Sequence, residues 1–448
     1  HYDYSPHSVN RAEVHIELTT KSKMFCGCPA DHFGKDPNTQ TCPVCLGLPG
    51  ALPVPNQQAI EDTIKIGLAL NCSINHDSHF DRKQYFYPDL AKGYQISQYD
   101  QPLCHDGFVI LDSGKKIRIE RVHLEEDTGK LTHGVILSEA EGSLSEKVSL
   151  VDYNRGGVPL VEIVSHPDLS SADEAKEYLK KIHNIVKELK VSDADMEKGQ
   201  MRLEPTVNLK ITDEKGDHYT PLVELKNINS FSFAFAAINY EKDRQYNAWL
   251  SDKIEKSQSN KATRGYDSEK KITFPQRVKE EAKDYRYFPE PDIPPLGFTK
   301  EYIHNLKLSL PKLPDVVKSE LIKLGIEAKY AEIIHKDKEL LSLIEKYKSD
   351  PDIKMNKLSS LLVNKKIDLS TDIKKSYLDL NKAGETDETK IKDLINQVLI
   401  ANPAAVADFK NGKTNALGFL VGQVMKLSQG KADPKIVSSL LAKQLGSN

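Results

Sequence analysis

The sequence predicts an α+β fold in which a strand-rich N-terminal domain precedes a helical domain and a small C-terminal helical tail domain. Up to about residue 290, short apolar runs alternate with polar residues and are broken by glycine and proline, which is typical of strands. Beyond residue 300, the chain is rich in lysine and leucine at helical spacing. The length of 448 residues agrees with about three domains.

The N-terminal strands are predicted from runs in which apolar residues recur at every second position. These runs include Val14-Ile16-Leu18, Ile117-Ile119 and Val207-Leu209-Ile211. One strong helix interrupts the strands, because Ser171 and Glu174 form a capping box ahead of apolar residues at helical spacing.

Breaks in these patterns define three domains. A proline-rich segment, 289–295, can continue neither a helix nor a central strand, so we end the first domain, 1–292, within it. The helical domain is then predicted over 293–384 and the tail domain over 385–448.

The tail domain contains clear signals for the ends of helices. Asn402-Pro403 and Asp433-Pro434 each combine a capping side chain with proline at the first helical position. Between them, Thr414 and Gly430 are predicted to bound another helix. The tail is therefore predicted to be a small helical bundle.

Composition and charge narrow the class of protein. The net charge of -3 and the pI near 6.6 give no general basic field, so a nucleic-acid partner has to meet a local patch. No apolar run reaches the ~18–20 residues of a membrane-spanning helix, so we expect no membrane span. Neither common phosphate loop is present, since Ala407 stands where G-x-x-x-x-G-K-[ST] needs glycine and no G-x-G-x-x-G occurs.

Four of the six cysteines form two close pairs, Cys26 with Cys28 and Cys42 with Cys45. Two thiolate pairs joined by a short loop meet the requirements of a tetrahedral zinc site, and a closed site of four cysteines has a structural role. The loop 26–45 is therefore predicted to bind zinc. The alternative is four ordinary buried cysteines.

Two acidic segments are candidates for a magnesium or manganese site. In a strand, Glu13, His15 and Glu17 share one face, and two carboxylates beside an imidazole suit a hard divalent cation. The adjacent acids Glu125 and Glu126 repel one another unless a cation compensates them. The alternatives are a half-buried edge strand with a solvated polar face and a solvated acidic turn.

Several irregular loops rich in glycine, asparagine, arginine and aromatic residues have the composition to stack a base and hold phosphates. They surround Tyr85-Phe86-Tyr87, Tyr153-Asn154-Arg155, Lys226-Asn227 and Tyr285-Arg286-Tyr287. Ordinary loops with specific turns have the same composition. No Ser/Lys or Cys/His nucleophile arrangement is evident, which disfavours a stand-alone glutaminase.

Taken together, several long runs resemble the B subunit of the tRNA-dependent amidotransferase, the GatB family. The runs are Glu13-Val14-His15-Ile16-Glu17-Leu18, Thr41-Cys42-Pro43-Val44-Cys45-Leu46-Gly47, Lys92-Gly93-Tyr94-Gln95-Ile96-Ser97-Gln98, Glu125-Glu126-Asp127, Asn154-Arg155-Gly156-Gly157-Val158-Pro159, Glu224-Leu225-Lys226-Asn227, Tyr285-Arg286-Tyr287-Phe288-Pro289-Glu290-Pro291-Asp292 and Ala416-Leu417-Gly418-Phe419-Leu420. The resemblance spans nearly the whole chain. It implies a cradle-like catalytic N-terminal domain and a tRNA-binding tail.

The resemblance also implies a reaction. Family members use ATP to phosphorylate the side-chain carboxylate of glutamate misattached to the glutamine tRNA, or of aspartate on the asparagine tRNA. Ammonia from glutamine, released by a separate amidase subunit, then displaces phosphate to form the amide. The implied partners are the amidase A subunit, a small third subunit of the C type or its mitochondrial equivalent, and misacylated Glu-tRNA(Gln).

Roles are carried onto individual positions only through this resemblance. The metal-binding motifs of the family place magnesium at Glu13, His15, Glu125 and Glu126, and zinc at the four cysteines of the loop 26–45. Glu204 stands where relatives usually carry aspartate and is taken as catalytic. The candidates for orienting ATP, phosphate or the tRNA 3′ end are Asn154, Arg155, Lys226 and Asn227, with Lys226 also taken as catalytic.

A rival hypothesis is a zinc-stabilised, non-catalytic subunit that positions tRNA for a partner enzyme. The lysine-rich composition and a first residue other than methionine favour a mitochondrial protein over a bacterial cytoplasmic one. The retained acidic motifs favour the ligase.

Overall fold

The computed structural model describes residues 11–136, 147–276, 285–382, 388–410, 413, 415–428 and 432–446. It confirms the predicted α+β fold, with strands in the N-terminal part and helices alone after residue 300. The strands, in chain order, are β1 (Arg11–Glu17), β2 (Ser73–Ile74), β3 (Asp77–Ser78), β4 (Asp81–Gln84), β5 (Tyr94–Ser97), β6 (Cys104–Ile110), β7 (Lys116–Glu126), β8 (Lys130–Ile136), β9 (Lys147–Asp152), β10 (Pro159–Ser165), β11 (Met201–Val207), β12 (Lys210–Asp213), β13 (Gly216–Tyr219), β14 (Val223–Lys226), β15 (Ala262–Asp267), β16 (Ile272–Pro275), β17 (Phe288–Pro289) and β18 (Leu296–Gly297).

Three helices lie among the strands and ten follow them in the described residues. They are α1 (Gln57–Ala69), α2 (Ala172–Glu188), α3 (Phe231–Asp252), α4 (Lys300–Ser309), α5 (Pro314–Lys323), α6 (Ala328–Ile334), α7 (Lys338–Tyr347), α8 (Met355–Val363), α9 (Ile373–Lys382), α10 (Glu388–Ala401), α11 (Pro403–Lys410), α12 (Asn415–Leu427) and α13 (Pro434–Leu445). Across the described ranges, no helix combines the length and the apolar character that crossing a bilayer requires.

A nine-stranded sheet organises the N-terminal unit, with strand order β16-β15-β14-β11-β1-β10-β7-β6-β2. Strand β1 lies at its centre and pairs antiparallel with β10 on one side and β11 on the other. The pairing of β14 with β15 is parallel. Because β1 is internal, its side chains have neighbours on both sides along the whole strand.

The central sheet has one apolar and one polar face, as the period of two along β1 requires. Ala12, Val14 and Ile16 are completely buried and belong to the main hydrophobic core. Helices α1, α2 and α3 contribute their apolar residues to the same core. The alternate residues of β1, including Glu13 and His15, form the other face, on which charged side chains collect.

Local signals explain where the main elements begin and end. The side chain of Ser171 accepts a hydrogen bond from the backbone amide of Glu174, as predicted for the start of α2. The predicted run over 207–211 is split between β11 and β12, because the amide of Leu209 turns to the hydroxyl of Thr220 instead of continuing the ladder. Asp433 caps α13 as predicted. The predicted helix limits Thr414 and Gly430 lie outside the described residues.

The chain divides into two compact units, His1–Leu313 and Pro314–Asn448. The first unit continues past residue 292, where we predicted the boundary, because β18 pairs back onto β3. Helix α4 also belongs to it, since Leu306 lies in the main core.

The second unit contains two separate hydrophobic cores. One is built from buried residues between Leu321 and Tyr377, and the other from buried residues between Ile391 and Leu445. The two sets share no residue. The described residues of the second unit thus pack around two different cores.

Tyr178 places a polar hydroxyl group in the hydrophobic core beneath the sheet. Its side chain is completely buried in α2, and its hydroxyl has no hydrogen-bond partner among the described residues. Burial raises the pKa of this hydroxyl far above its usual range. We expect Tyr178→Phe to leave stability unchanged or to raise it by about 1 kcal/mol, because an unsatisfied buried group is removed.

The measurement is calorimetric unfolding of the purified protein. Tyr178→Ala is the matched variant and should destabilise the N-terminal unit by about 3–5 kcal/mol through loss of the ring. A clear destabilisation by Tyr178→Phe would contradict the prediction by showing that the hydroxyl contributes a bond.

Candidate functional site

A row of ionisable residues crosses the polar face of the central sheet. In the register of the three central strands, His15 of β1 lies opposite Glu162 of β10, and Glu162 lies opposite His123 of β7. Directly opposed side chains of an antiparallel sheet have Cβ atoms about 4.5–5.5 Å apart, so they interact. The sheet itself therefore assembles this row.

The row and the end of β7 together form a compact cluster. One ligand atom from each of His15, Glu125 and Glu162 lies within 4.8 Å of the others. His123 Nε2 lies 3.1 Å from Glu162 Oε2 and 3.6 Å from Glu125 Oε2. The hydroxyl of Ser97 donates to Glu125 Oε2 at 2.9 Å. The two predicted acidic segments, over a hundred residues apart in sequence, thus meet in space.

Electrostatic compensation keeps these buried groups charged. Burial alone would lower the pKa of His123, but the carboxylates of Glu162 and Glu125 raise it to about 9. Burial would raise the pKa values of Glu125 and Glu162, but His123 holds both below their usual range. At neutral pH the cluster therefore contains two carboxylates whose charge is partly neutralised by the imidazolium of His123 and by the ammonium of Lys83.

The donor set fits a hard divalent cation. Carboxylate oxygens with one imidazole suit Mg²⁺ or Mn²⁺. His15 Nδ1 is buried and has no hydrogen-bond partner in the described part of the chain. One ring nitrogen of this imidazole is therefore not engaged in a hydrogen bond with those residues. Among the predicted ligands, His15 and Glu125 belong to the cluster.

Glu162 completes the cluster and was not singled out from the sequence. It is the one charged residue of β10, a strand whose residues are all buried. A lone acid in an otherwise apolar strand is the signal that identifies it, because burying a carboxylate is costly unless it is paired.

The structure does not bring Glu126 or Glu13 into this cluster. Glu126 follows Glu125 in a strand and so faces the other way, where it accepts bonds from the ammonium of Lys92 and, at 3.0 Å, the amide of Ile96. Glu13 is on the polar face, beside Arg11. Burial and the charge of Glu162 raise the pKa of Glu13.

A second group of charges extends the polar face toward β14. Glu204 lies opposite Glu13 in the β1–β11 register. The ammonium of Lys226 lies 2.7 Å from Glu204 Oε2 and 3.0 Å from Glu224 Oε1. Burial alone would raise the pKa of Glu224, but the positive charges of Lys226 and, to a smaller extent, Lys261 lower it to about 2. The predicted site residues Glu204 and Lys226 are therefore in direct contact.

Asn227 follows β14 and has a left-handed backbone with φ of 64°. This conformation is uncommon outside glycine and is tolerated best by asparagine. It ends the strand next to Lys226. The structure therefore places Asn227 directly after Lys226 at the end of β14.

Two other predicted binding residues use their side chains to hold backbone. Asn154 accepts from the amide of Gln40 at 2.8 Å and donates to the carbonyl of Asp36 at 2.8 Å. Arg155 donates to the carbonyls of Thr128 and Gly129, both at 2.9 Å. Asn154 thus secures the cysteine loop, and Arg155 secures the turn after β7.

An ion-pair network links the cysteine loop to the polar face. His32 of that loop lies 3.1 Å from Glu17 at the end of β1. Arg202 lies 2.5 Å from Asp127 and 4.0 Å from Glu17. Burial alone would raise the pKa of Asp127, but the positive charges of Arg202 and, to a smaller extent, Arg155 hold it well below its usual range.

The four predicted zinc ligands come together at one point. One sulfur from each of Cys26, Cys28, Cys42 and Cys45 lies within 4.8 Å of the others, and all four are free thiols. A hydrogen bond from Cys26 lowers the pKa of Cys45 to about 4, whereas burial raises the pKa of Cys28 to about 11. Four sulfur donors at this separation suit a tetrahedral metal ion.

Comparison with known proteins matches two families along the chain. Residues 11–304 match the GatB/GatE catalytic domain, and residues 321–445 match the GatB domain. The chain is 40% identical to the B subunit of the aspartyl/glutamyl-tRNA(Asn/Gln) amidotransferase of Thermotoga maritima and 41% identical to the protein of that name in Persephonella marina. Each alignment covers 97% of this chain and 98% of the relative.

These relatives also bear on the predicted location and on the length of the chain. Both are bacterial, so they favour the bacterial alternative and give no support to a mitochondrial location. Each alignment runs over 482 positions, more than the 448 residues present here. The relatives therefore contain residues that have no counterpart in this chain.

The geometry of the four-cysteine cluster predicts that the purified protein contains a bound metal ion. We expect the purified chain to contain one bound metal ion and Cys42→Ser to lose it, because one of four thiolate ligands is removed. We also expect a lower melting temperature, because binding a metal only in the folded state stabilises that state. Elemental analysis and calorimetry measure the two effects.

Cys72→Ser is the matched control, since Cys72 is a buried free thiol outside the cluster. It should retain the metal. Equal metal content in the wild type and Cys42→Ser would contradict the assignment of the cluster.

Proposed function

The chain belongs to the GatB family, the B subunits of ligase-type tRNA-dependent amidotransferases, and from this membership we propose that it activates and amidates an aminoacyl-tRNA. The proposed substrate is glutamate misacylated on the glutamine tRNA. The names of the relatives also include aspartate on the asparagine tRNA. The single observation that carries the proposal is the buried cluster of His15, Glu125 and Glu162 on the polar face of the sheet.

The proposed reaction has two steps. A carboxylate oxygen of the glutamyl side chain attacks the γ-phosphorus of ATP, the bond between that phosphorus and the β,γ-bridging oxygen breaks, and ADP leaves. Ammonia then forms a bond to the acyl carbon, the bond to the phosphate oxygen breaks, and inorganic phosphate leaves with the amide formed. The attacking nitrogen loses its extra proton in the second step.

The chain's own residues prepare the first step by holding charge in fixed positions. His15, Glu125 and Glu162 are the residues that would hold Mg²⁺, which supplies charge neutralisation for the phosphate oxygens when bound. His123 and Ser97 fix the carboxylate of Glu125 by the contacts described above. Glu125, Glu162 and His123 are buried, and electrostatic interactions between buried groups are stronger than in water.

We assign the remaining predicted residues according to their contacts. Lys226, held between Glu204 and Glu224, is the proposed cation for orienting phosphate or the tRNA end, with Asn227 beside it. Asn154 and Arg155 are proposed to position the cysteine loop and the acidic turn. Glu13 and Glu126 remain predicted magnesium ligands, outside the cluster that the described residues form.

We assign zinc to the four-cysteine cluster, with a structural role. A site closed by four protein ligands leaves no open position for substrate. The loop that it closes carries His32, which contacts Glu17 of β1. Zinc would therefore stabilise the loop at the edge of the polar face.

The proposed partners follow from the chemistry. The chain supplies no ammonia in this scheme, so a partner amidase subunit has to release it from glutamine. A small third subunit completes the proposed complex. The rival function, a non-catalytic tRNA-binding subunit, does not account for two carboxylates buried next to each other at the centre of the sheet.

Glu125→Gln in the assembled enzyme separates the two functions. We expect amide formation on glutamyl-tRNA to fall by about 10²-fold or more, because a ligand of the charge-neutralising cation is lost. Glutamine hydrolysis by the partner subunit should persist. The rates are measured as glutaminyl-tRNA formed and glutamate released.

Glu120→Gln is the matched control, because Glu120 lies on the same strand with a side chain that is 40% exposed. It should retain the wild-type rate of amidation. If Glu125→Gln amidates as fast as this control, the chain has no activating role at that residue.

The tail is proposed to bind tRNA through lysines that include Lys410, Lys413, Lys426 and Lys435. Its core shares no residue with the core of the preceding helices, so removing residues 385–448 leaves that core intact. We expect the truncated enzyme to bind tRNA more weakly and with a smaller salt dependence, because phosphate contacts are lost. Filter binding at several salt concentrations measures both effects, and an unchanged dissociation constant would refute the role.

A further inference from the structure

Arg202 occupies a distinctive position on the polar face. It lies in β11 directly opposite His15 of β1, so it flanks the candidate metal cluster on the side away from Glu162. Its neighbours in β11, Met201 and Leu203, are buried in the core on the other face. The period of two along the strand therefore directs Arg202 toward the cluster side of the sheet.

The guanidinium of Arg202 is held in place by acids that are themselves fixed. Its Nη2 atom donates to Asp127 Oδ2 at 2.5 Å and lies 4.0 Å from Glu17 Oε1. Arg155 lies 3.8 Å from the other oxygen of Asp127. His32 lies 3.1 Å from Glu17. One edge of the guanidinium is thus anchored before any ligand arrives.

Another donor of the same guanidinium is left without a partner. Arg202 Nε is buried and makes no hydrogen bond to any described residue. A buried charged donor without a partner is costly, so a fold retains one only where something else satisfies it. The side chain as a whole is 29% exposed, so a ligand on the polar face has access to it.

The position, the anchoring and the free donor point to one class of ligand. A guanidinium presents donors in a planar fork that matches phosphate oxygens, and a phosphoryl group offers several acceptors at once. In phosphoryl transfer, an arginine that stabilises charge on the transferred group contributes strongly to the rate.

We propose that Arg202 is a catalytic residue that binds the phosphoryl group while it passes from ATP to the glutamyl carboxylate. This inference rests on the proposed function and adds the group that contacts the transferred phosphate. Asp127 is then a positioning residue, because it holds Nη2 of the guanidinium and leaves the other terminal nitrogen for phosphate oxygens. The alternative is an ion pair with Asp127 that serves the fold alone.

The first experiment isolates the phosphorylation step in the assembled enzyme. Glutamyl-tRNA and ATP with magnesium are supplied without glutamine or ammonia, and ADP release is measured at saturating tRNA. We expect Arg202→Lys and Arg202→Ala to lower the rate by about 10³-fold, the range for loss of such an arginine. Added guanidinium ion should partly restore Arg202→Ala, which a purely structural role would not produce.

Arg118→Gln is the matched control, since Arg118 also pairs with an aspartate but its side chain is 57% exposed. It should release ADP at the wild-type rate. The dissociation constant for tRNA should be the same in all variants, because the proposed contact is with the phosphate of ATP.

The second experiment uses the wild-type enzyme and so does not depend on folding of a variant. Phenylglyoxal modifies accessible arginines, and mass spectrometry measures the modified fraction of Arg202. We expect ATP with magnesium to slow modification of Arg202 and to leave Arg118 unaffected. No protection of Arg202 would overturn the proposal.

The remaining outcomes are equally decisive. Wild-type ADP release by Arg202→Lys, or absence of rescue by guanidinium in a folded Arg202→Ala enzyme, would reduce Arg202 to a structural ion pair. Weaker tRNA binding with an unchanged rate at saturation would move the contact to a tRNA phosphate and overturn the proposal. A wild-type enzyme that releases no ADP would instead refute the proposed function.

Discussion

The burial of two carboxylates side by side is the constraint on which the rest of the site depends. Glu125 and Glu162 lie in the interior of a protein, where an isolated charge is strongly disfavoured. His123 lies against both of them, and its imidazolium offsets part of their charge. The sheet has to hold all three in register, since a shift of one residue would send each to the apolar face.

This constraint explains why the two faces of the sheet have different roles. The apolar face packs against three helices and stabilises the strands, which leaves the opposite face able to carry charge at its centre. Strand β1 is paired on both sides, so the backbone around His15 has little freedom to move. A cluster placed on such a strand is preorganised, which is the arrangement that electrostatic catalysis requires.

The sequence predicted this face because its signals are local. The alternation along Glu13, His15 and Glu17 is visible within one strand, and the cysteine pairs lie within one loop. Glu162 could not be selected in the same way, because its importance depends on lying opposite His15 and His123 in strands that are distant in sequence. Glu126 is adjacent to Glu125 but lies outside the cluster, because neighbouring residues of a strand face opposite sides.

The sequence also could not show which polar side chains form hydrogen bonds within the protein instead of binding a ligand. Asn154 and Arg155 have side chains that often bind nucleotides, yet here they hold the backbone of the cysteine loop and of the turn after β7. Nothing in their local sequence distinguishes these uses. The pairing of β18 with β3 could not be predicted either, because proline indicates where regular structure ends and not which strands pair across the break.

The same contacts explain why the cysteine loop lies beside the cluster. Its His32 fixes Glu17, while Arg155 and Arg202 both engage Asp127 in the turn that follows Glu125. The loop, the turn and the end of β1 therefore restrain one another through buried ion pairs, which are sensitive to the loss of any one partner. The acids that orient Arg202 are thus held firmly on the polar face of the sheet.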